Sequence, residues 1–333
     1  IDLSMIRPVT GSEHLDAFTR ALRAIAADCP PAVAASFRPA SALYPCLDAA
    51  ERWLKLCGLP IERQGLVFTN GATAGLALAL AGTVRPGGAV LTDPLTHHGL
   101  IGLARALHLR LVAVAGDAEG MLPDALDAAS RSSGATAVFL MPSGLGPEAG
   151  TMGEERRRQL AATARRNDLF IVENDAWGPL QPGRPAPVTA HARDRGLYVT
   201  SLTKCLLPGL RLGFLVVPER LEAAIAERDM ALHWMANPLM AHIAARWIGD
   251  HTADDLLQRQ RAAMAERNAI AARSLAGGPF RSSVNGMHIW VPVTDAAAEQ
   301  ALIAEARVNG VAVSGTDAFR LTEGHPPAPG VRI

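Results

Sequence analysis

The stretch GLYVTSLTKCLLPGLRLGFLVV, residues 196–217, decides the fold class of this chain. It contains two apolar segments typical of buried strands, 196–201 and 212–217, with no helical segment between them. The short connection carries Lys204, flanked by hydroxyl side chains, and Arg211. A lysine in apolar surroundings loses part of its preference for the charged form and becomes a usable nucleophile for a carbonyl carbon. The hydroxyls and the arginine would suit a phosphate.

The scarcity of lysine strengthens this interpretation. Lys55 and Lys204 are the only lysines, and arginine supplies the other 30 of the 32 basic residues. A lysine at the end of a strand ordinarily extends its amine into solvent. Here the rarity of the residue type and its Ser, Thr and Arg neighbours favour a chemical role for Lys204 instead.

Upstream of this stretch, short apolar strands alternate with helical segments. The predicted strands are 66–69, 89–92, 110–115, 135–141 and 169–173, and the predicted helices are 72–83, 98–107, 123–132 and 154–166. With 196–201 and 212–217 this makes seven strands. The alternation predicts an α/β fold with a mostly parallel sheet covered on both faces. The missing helix between the last two strands predicts an antiparallel edge.

Helical patterns precede and follow this series of strands in the sequence. They cover 13–28 and 47–57 before it and 219–249 and 252–275 after it. Strands near 286–291, 311–313 and 331–333 and a helix over 295–309 then predict a smaller α+β lobe. We therefore predict an N-terminal arm and helix (1–45), a large cofactor-binding domain (46–250) and a small C-terminal domain (251–333). The sequence stops inside a predicted strand, so we expect the small domain to be trimmed at its end.

Composition excludes several protein classes. Hydrophobic residues make up 49% and charged residues 19% of 333, which excludes a disordered or coiled-coil chain. Basic and acidic residues balance at 32 each, so this chain alone is a poor candidate for gripping nucleic acid by its phosphates. Four cysteines without a C-x-x-C motif and no apparent signal peptide indicate a reduced, cytoplasmic protein. The longest uncharged run contains a turn signal, so no membrane association is expected.

Three further motifs carry weaker signals. The strand-to-helix turn at 70–73 leaves helix N–H groups open to an anion, although an ordinary turn explains it as well. The segment 144–150 has the spacing G-x-G-x-x-x-G with Pro147 in its turn, which does not fit a dinucleotide loop. The adjacent His97 and His98 have no third ligand at a suitable spacing, so no metal site is expected.

The segment ENDAWG, residues 173–178, follows a predicted strand. Carboxylate, amide and aromatic side chains at the carboxyl end of a strand lie where ligands bind in α/β sheets. The alternative is a cluster of helix-capping residues.

Taken together, the order of these segments resembles fold type I pyridoxal-phosphate (PLP) enzymes of the aminotransferase class I/II family. The most specific piece is Ser201-x-Thr203-Lys204 followed by PGLRLG at 208–213, which is similar to the S-x-S-K…PG-x-R-x-G signature of the family. The resemblance implies PLP as cofactor, Lys204 as the Schiff-base lysine, and Ser201 and Arg211 as phosphate ligands.

The same resemblance implies roles for further residues. Gly71, Ala72 and Thr73 match the phosphate cup, Arg332 matches the arginine that clamps a substrate α-carboxylate, and Tyr44 falls near a tyrosine that reaches the phosphate of the neighbouring subunit. A homodimer is therefore implied.

The chain departs from the family pattern around the cofactor ring. His97 replaces the aromatic residue that stacks on the pyridine, and Gly146 replaces the asparagine of the N-P-T-G motif. Trp177 replaces the tyrosine near the phenolate oxygen, although its indole can still donate one hydrogen bond. Asn174 falls where the family has the aspartate beside the pyridine nitrogen, and a register shifted by one residue would put Asp175 there instead.

A narrower resemblance is to the aminotransferase-like domain of MocR-type GntR regulators. It rests on IDLS at 1–4, LTDPLTHHGL at 91–100, and the segments 151–157 and 171–175. In such regulators a winged helix-turn-helix domain precedes a segment like 1–3, and DNA is contacted only through that separate domain. This sequence does not include one.

Two functions follow from these resemblances. The first is a sensor domain that binds PLP and an amino acid or amine as effector. The alternative is an active aminotransferase in which Lys204 abstracts the α-proton as general base. The altered residues around the ring favour the sensor, with weak or absent turnover.

Overall fold

The computed structural model describes residues 1–62, 64–321 and 328–333. The strands are β1 (Gln64–Thr69), β2 (Ala89–Thr92), β3 (Arg110–Ala113), β4 (Gly116–Asp117), β5 (Gly120–Met121), β6 (Ala137–Leu140), β7 (Phe170–Asp175), β8 (Gly196–Ser201), β9 (Gly213–Pro218), β10 (Trp290–Pro292), β11 (Ser314–Gly315) and β12 (Gly330–Arg332). The α-helices are α1 (Ser12–Ala27), α2 (Pro31–Ala35), α3 (Pro39–Leu43), α4 (Leu47–Leu56), α5 (Ala72–Thr83), α6 (His98–Ala106), α7 (Pro123–Ser133), α8 (Glu154–Arg166), α9 (Glu222–Leu232), α10 (Pro238–Gly249), α11 (Thr252–Ser274) and α12 (Ala296–Val308).

A seven-stranded sheet forms the centre, in the order β1-β9-β8-β7-β6-β2-β3. Strand β9 runs antiparallel to both of its neighbours, β1 and β8, and the other pairs are parallel. The prediction of a mostly parallel seven-stranded sheet is confirmed. The expected antiparallel edge needs a correction, because β9 lies one strand inside the edge. Strand β1 pairs with it over its full length, from Gln64 opposite Pro218 to Thr69 opposite Gly213.

Both faces of the sheet are covered, as the apolar strand sequences require. In β7, Val172 belongs to the hydrophobic cluster that includes residues of α5, while Ile171 belongs to the cluster that includes residues of α8. Strands β8 and β9 are buried at every position. The sheet therefore forms the middle layer of three, and its carboxyl-terminal edge is the place where polar groups can be presented.

The short link between β8 and β9 depends on local geometry. A 3₁₀ turn, Pro208–Leu210, leads to Arg211, whose φ is 45°. A Cβ atom on Gly213 would lie 2.8 Å from the carbonyl oxygen of Thr200, so only glycine fits where β9 begins beside β8.

The C-terminal lobe is built on α11, α12 and a three-stranded sheet in the order β10-β12-β11. The central strand, β12, carries Arg332, which lies opposite Trp290 on one side and Ser314 on the other. The start of the chain extends this lobe, because the backbone N–H of Leu3 donates to the carbonyl of Ala312 at 2.8 Å.

Two of the elements predicted after residue 218 were wrong in extent. The helix predicted over 219–249 is divided into α9 and α10, because Trp234 has a φ of 67° and the Asn237 side chain caps the new helix at Leu239 and Met240. The strand predicted over 286–291 begins only at Trp290, since a turn closed by the Gly286 N–H precedes it.

The boundaries proposed near residues 45 and 250 remain predictions, and part of the predicted small domain, 322–327, lies outside the described residues. Among the helices of the described ranges, none is long and apolar enough to cross a membrane.

Candidate functional site

A cavity of about 380 Å³ opens beside the loop that follows β8. It is lined by Lys204 from that loop, His97 and His98 from the start of α6, and Phe319 and Arg332 from the C-terminal lobe. The topology therefore brings together residues that are up to 235 positions apart in the sequence, counted from 97 to 332.

Lys204 is partly buried, and its Nζ donates a hydrogen bond to the main-chain carbonyl of Ile6. Burial lowers its pKa below the ordinary value for lysine, and the positive charges of Arg332 and Arg211 lower it further. A larger fraction of this amine is therefore neutral near pH 7, which is the form that attacks a carbonyl carbon.

Arg332 provides a second positive charge in the same cavity. Its side chain is 7% exposed, and its Nη2 donates to the carbonyl oxygen of Ser4 at 2.6 Å. The guanidinium carbon lies 4.5 Å from the ring centroid of Phe319. Within the described residues no carboxylate forms an ion pair with it, and burial lowers its pKa to about 10. The group can therefore receive an anionic ligand group.

The predicted phosphate cup lies at the amino-terminal end of α5. Gly71 precedes the helix with a φ of 82°, and a Cβ atom there would lie 3.1 Å from Nη2 of Arg211. The arginine therefore packs directly on the first turn, which contains Ala72 and Thr73. Among the described residues no side chain caps this helix end, and its first turn holds no acidic residue, so its N–H groups and the positive end of its dipole are open to an anion beside the arginine. Ser201 is buried at the end of β8.

Asn174 and Asp175 point to opposite faces of the sheet, because successive side chains of a strand alternate. Asn174 lies in register with Val199, and Val199 packs on α5, where its Cγ1 lies 3.0 Å from the Cβ position of Gly75. Asn174 therefore shares the face of the helix whose first turn contacts Arg211.

Asp175 already has an ion-pair partner and a hydrogen-bond donor on the other face of the sheet. Its carboxylate pairs with Arg184, with a closest N–O distance of 2.6 Å, and accepts a hydrogen bond from the Tyr198 hydroxyl. Both charged side chains are buried, and Arg184 also donates to the carbonyl of Cys57 at 2.9 Å. Burial raises the pKa of the Tyr198 hydroxyl well above its ordinary range, with the negative charge of Asp175 adding to the effect, so the tyrosine stays a hydrogen-bond donor.

Asn174 by contrast leaves hydrogen-bonding capacity unused. It is 2% exposed, and its Oδ1 has no hydrogen-bond partner in the described part of the chain. The indole Nε1 of Trp177, which is 1% exposed, also lacks one. Buried polar atoms without partners are uncommon in folded proteins and suggest that a further group completes them.

The two histidines that face Trp177 and the cavity are neutral. Burial lowers the pKa of His97 to about 3 and that of His288 to about 4. His288 packs edge-on against the Trp177 ring at 5.6 Å and makes hydrogen bonds through Nε2 to the carbonyls of Gly146 (2.9 Å) and Pro147 (3.2 Å). Because carbonyls only accept, the Nε2 atom carries the hydrogen.

The structure thus groups Lys204, His97 and Arg332 at one cavity, while Tyr44 is 64% exposed on the surface and does not line it. Sequence reasoning missed His288 and Phe319. It also missed the segment Ser4–Met5–Ile6, which lines the cavity as well. Apart from Ser4, which ends the IDLS segment, no local motif marks these residues, since their positions follow from long-range packing.

The donor set of this region fits PLP. The Arg211 guanidinium and the uncapped helix end suit its phosphate, an amine of lowered pKa suits its aldehyde, and buried polar atoms of Asn174 and Trp177 that lack partners in the described part of the chain suit the polar edge of its ring. A metal site has no such support, because the described ranges contain no group of three or more potential ligands.

Comparison with known proteins agrees with this geometry. The family model for aminotransferase class I and II matches residues 19–329. Among solved structures, the kynurenine aminotransferase of Pyrococcus horikoshii superposes with a TM-score of 0.88 at 19% identity, covering 100% of this chain and 85% of that one. The predicted PLP-dependent transferase fold of type I is therefore confirmed.

Curated relatives include transcriptional regulators. The HTH-type transcriptional regulator YdeF of Bacillus subtilis is 26% identical over 244 residues, which is 73% of this chain and 53% of that protein. The HTH-type transcriptional regulator YdfD of the same organism is 22% identical over 278 residues, 81% of this chain and 58% of that protein. The chain thus spans little more than half the length of these relatives.

Proposed function

Because this chain belongs to the aminotransferase class I and II family, whose cofactor is PLP, we propose that it is the effector-sensing domain of a MocR/GntR-type transcriptional regulator. Its ligand is an amino acid or amine. The regulator names of the relatives, and the fact that the chain matches only part of their length, support this proposal. Contact with DNA would be made by a separate winged-helix domain that is not part of this sequence.

The residues that would hold the cofactor follow from the site. Lys204 would carry it covalently, the turn at Gly71 with Arg211 and Ser201 would hold its phosphate, and His97 would cover its ring. When bound, PLP supplies an aldehyde that captures amines and a ring that can withdraw electrons from the captured carbon.

The single observation that carries the sensor function is the placement of Asn174. A carboxylate beside the pyridine nitrogen stabilises its proton, because an opposite charge at short range raises the pKa of that nitrogen. The amide of Asn174 has no charge to supply, and the carboxylate of Asp175 is bound to Arg184 on the other face of the sheet. If PLP is bound here, the chain would therefore supply little support for electron withdrawal by the ring, and we expect ligand binding without efficient turnover.

The remaining side chains orient the ligand. Arg332 binds its carboxylate, and the low-pKa amine of Lys204 is available to hold or release a proton beside it. Neutral His97 and His288 add no charge to the site. These side chains would serve ligand binding as well as catalysis. The amide at position 174, in place of a carboxylate, favours binding without efficient turnover.

The test compares two single substitutions in PLP-loaded protein. We expect amino acids to shift the visible absorbance of the wild-type protein while single-turnover half-transamination stays slow. Asn174→Asp should raise that rate at least about tenfold, since a carboxylate shifts the nitrogen's pKa by one to three units. Asp175→Asn is the matched control and should lower the melting temperature by leaving Arg184 buried without its partner. Lys204→Ala, which cannot form the covalent link to PLP, provides the spectroscopic reference.

Brisk wild-type turnover that depends on Asp175 would overturn both the assignment of Asn174 and the sensor function. An active aminotransferase is the second candidate, and the lowered pKa of Lys204 favours it, because a neutral amine is the form required of a general base. The genomic reading frame upstream of Ile1 also separates the two, since a fused winged-helix domain would support the regulator.

A homodimer belongs to the same proposal. Phe37, Tyr44 and Trp234 are 80%, 64% and 47% exposed, which is unusual for large apolar side chains. This surface is joined to the phosphate cup, because Trp234 bonds the carbonyl of Phe37 at 2.9 Å and the next residue, Met235, accepts from Asn70. A second copy of the chain covering it would place Tyr44 at the partner's cup. A cytoplasmic location is part of this proposal, as a DNA-binding regulator requires.

A further inference from the structure

Much of the cavity wall is apolar, including residues next to its two cations. Met5, Ile6, Leu145 and Phe319 line it, and Phe319 is 2% exposed. Two of these side chains come from the N-terminal segment, which is held in place by the hydrogen bond from Arg332 to the carbonyl of Ser4 and by that from Ser314 Oγ to the same oxygen at 3.2 Å.

The charged side chains of the wall are all positive. Lys204 and Arg332 are positive, and no aspartate or glutamate is among the described residues that line the cavity. His98 adds no third cation, because burial and the charges of Arg332 and Lys204 lower its pKa. Arg7 does not line the cavity, since it is exposed and paired with Asp2.

We infer that the site takes an amino acid with one carboxylate and an uncharged, apolar side chain. This inference rests on the proposed function and names the ligand class of the same site. Arg332 binds the carboxylate, Lys204 serves the link to the cofactor and the proton beside it, and the side chain lies against Met5, Ile6, Leu145 and Phe319.

The composition of the wall excludes ligands with an acidic or a basic side chain. A second carboxylate would need a second free cation, and the described wall offers none once Lys204 and Arg332 are used. A basic side chain would need a carboxylate partner, and no aspartate or glutamate is among the described residues that line the cavity. An unpaired charge in a desolvated site costs several times the thermal energy, so both classes should bind at least about tenfold more weakly.

The experiment measures ligand affinity of the full chain loaded with PLP, by calorimetry. The probes are L-norleucine, L-glutamate and L-lysine, of which norleucine and lysine are nearly the same length. Norleucine should bind at least about tenfold more tightly than either charged amino acid, because only its side chain needs no counter-ion.

A charge introduced into the wall should change this preference. In Ile6→Arg the ratio of glutamate to norleucine affinity should rise about tenfold or more, since the new cation can pair with the second carboxylate. Val308→Arg is the matched control, because Val308 is 83% exposed at the end of α12 and does not line the cavity. Thermal unfolding, measured in parallel, shows that each variant is folded.

Wild-type affinity for glutamate or lysine equal to that for norleucine would overturn the inference and leave the sensor function standing. An unchanged preference in Ile6→Arg would also overturn it. Normal PLP binding with no affinity for any of the three amino acids would overturn the proposed function as well.

Discussion

Arg211 adopts a left-handed backbone conformation, with a φ of 45°, which is uncommon for a residue with a side chain. The conformation turns the chain from the Lys204 loop into β9 and brings the guanidinium against the turn at Gly71. One residue therefore closes the loop and, in the proposed function, supplies the charge of the phosphate site.

Arg211→Ala should weaken PLP affinity by about tenfold or more, and by more than Ser201→Ala does. A charged hydrogen bond contributes about 1.5–3 kcal/mol and a neutral one about 1 kcal/mol. A PLP titration followed by absorbance measures both. Arg158→Ala is the control, since that arginine is exposed on α8 and, within the ranges that the structure describes, pairs only with Glu154. The reverse order of the two effects would contradict the assigned cup.

The residues of the site differ in how far sequence could identify them. Lys204 and Arg211 lie in one short motif whose spacing fixes their roles relative to each other. His288 contacts the Gly146 carbonyl across 142 positions, and Phe319 meets Arg332 across the β-sheet of the small lobe. Such contacts depend on how the lobe packs, which no local pattern encodes.

Among the elements, the strands of the central sheet were predicted well because each is a short apolar run bounded by turn residues. Helix α5 was predicted with its observed ends, Ala72–Thr83. The division between α9 and α10 was missed because apolar periodicity continues through it, and the break depends on one left-handed residue, Trp234, and on the cap at Asn237.

The segment before β10 should make the stability of the protein sensitive to acid. His288 is 4% exposed and has a folded-state pKa of about 4, below its value of about 6.5 in the unfolded chain. Below pH 6.5 the unfolded state therefore binds more protons than the folded state. Stability is complete above that pH and falls by up to about 3 kcal/mol as the pH drops to 4.

Thermal unfolding followed by circular dichroism between pH 7 and pH 4 measures this contribution. In His288→Asn the decline should be shallower, and in His108→Asn it should match the wild type, since His108 is exposed and asparagine tolerates its left-handed backbone (φ 54°). Equal slopes for wild type and His288→Asn would show that His288 is not the titrating group.

For the whole molecule, we expect light scattering to show a stable dimer. Trp234→Asn should weaken the dimer and reduce PLP retention, because it removes a ring that lies with Phe37 on the exposed apolar surface. Asparagine accepts the left-handed backbone angle of this position, so the substitution should not strain the chain. Val308→Asn alters an even more exposed apolar residue of the C-terminal lobe and should leave the dimer unchanged. A stable monomer that binds PLP normally would contradict the proposed interface.

The first six residues join the ligand site to the start of the chain. Ile1 and Leu3 are hydrogen-bonded to Gly310 and Ala312, and the carbonyls of Ser4 and Ile6 accept from the two cavity cations. The Arg332 guanidinium has room for a ligand carboxylate as well, because its Nε has no partner among the described residues. If the ligand strengthens or weakens the contact between Arg332 and Ser4, thermodynamic reciprocity requires that a change in that contact alter ligand affinity by the same factor.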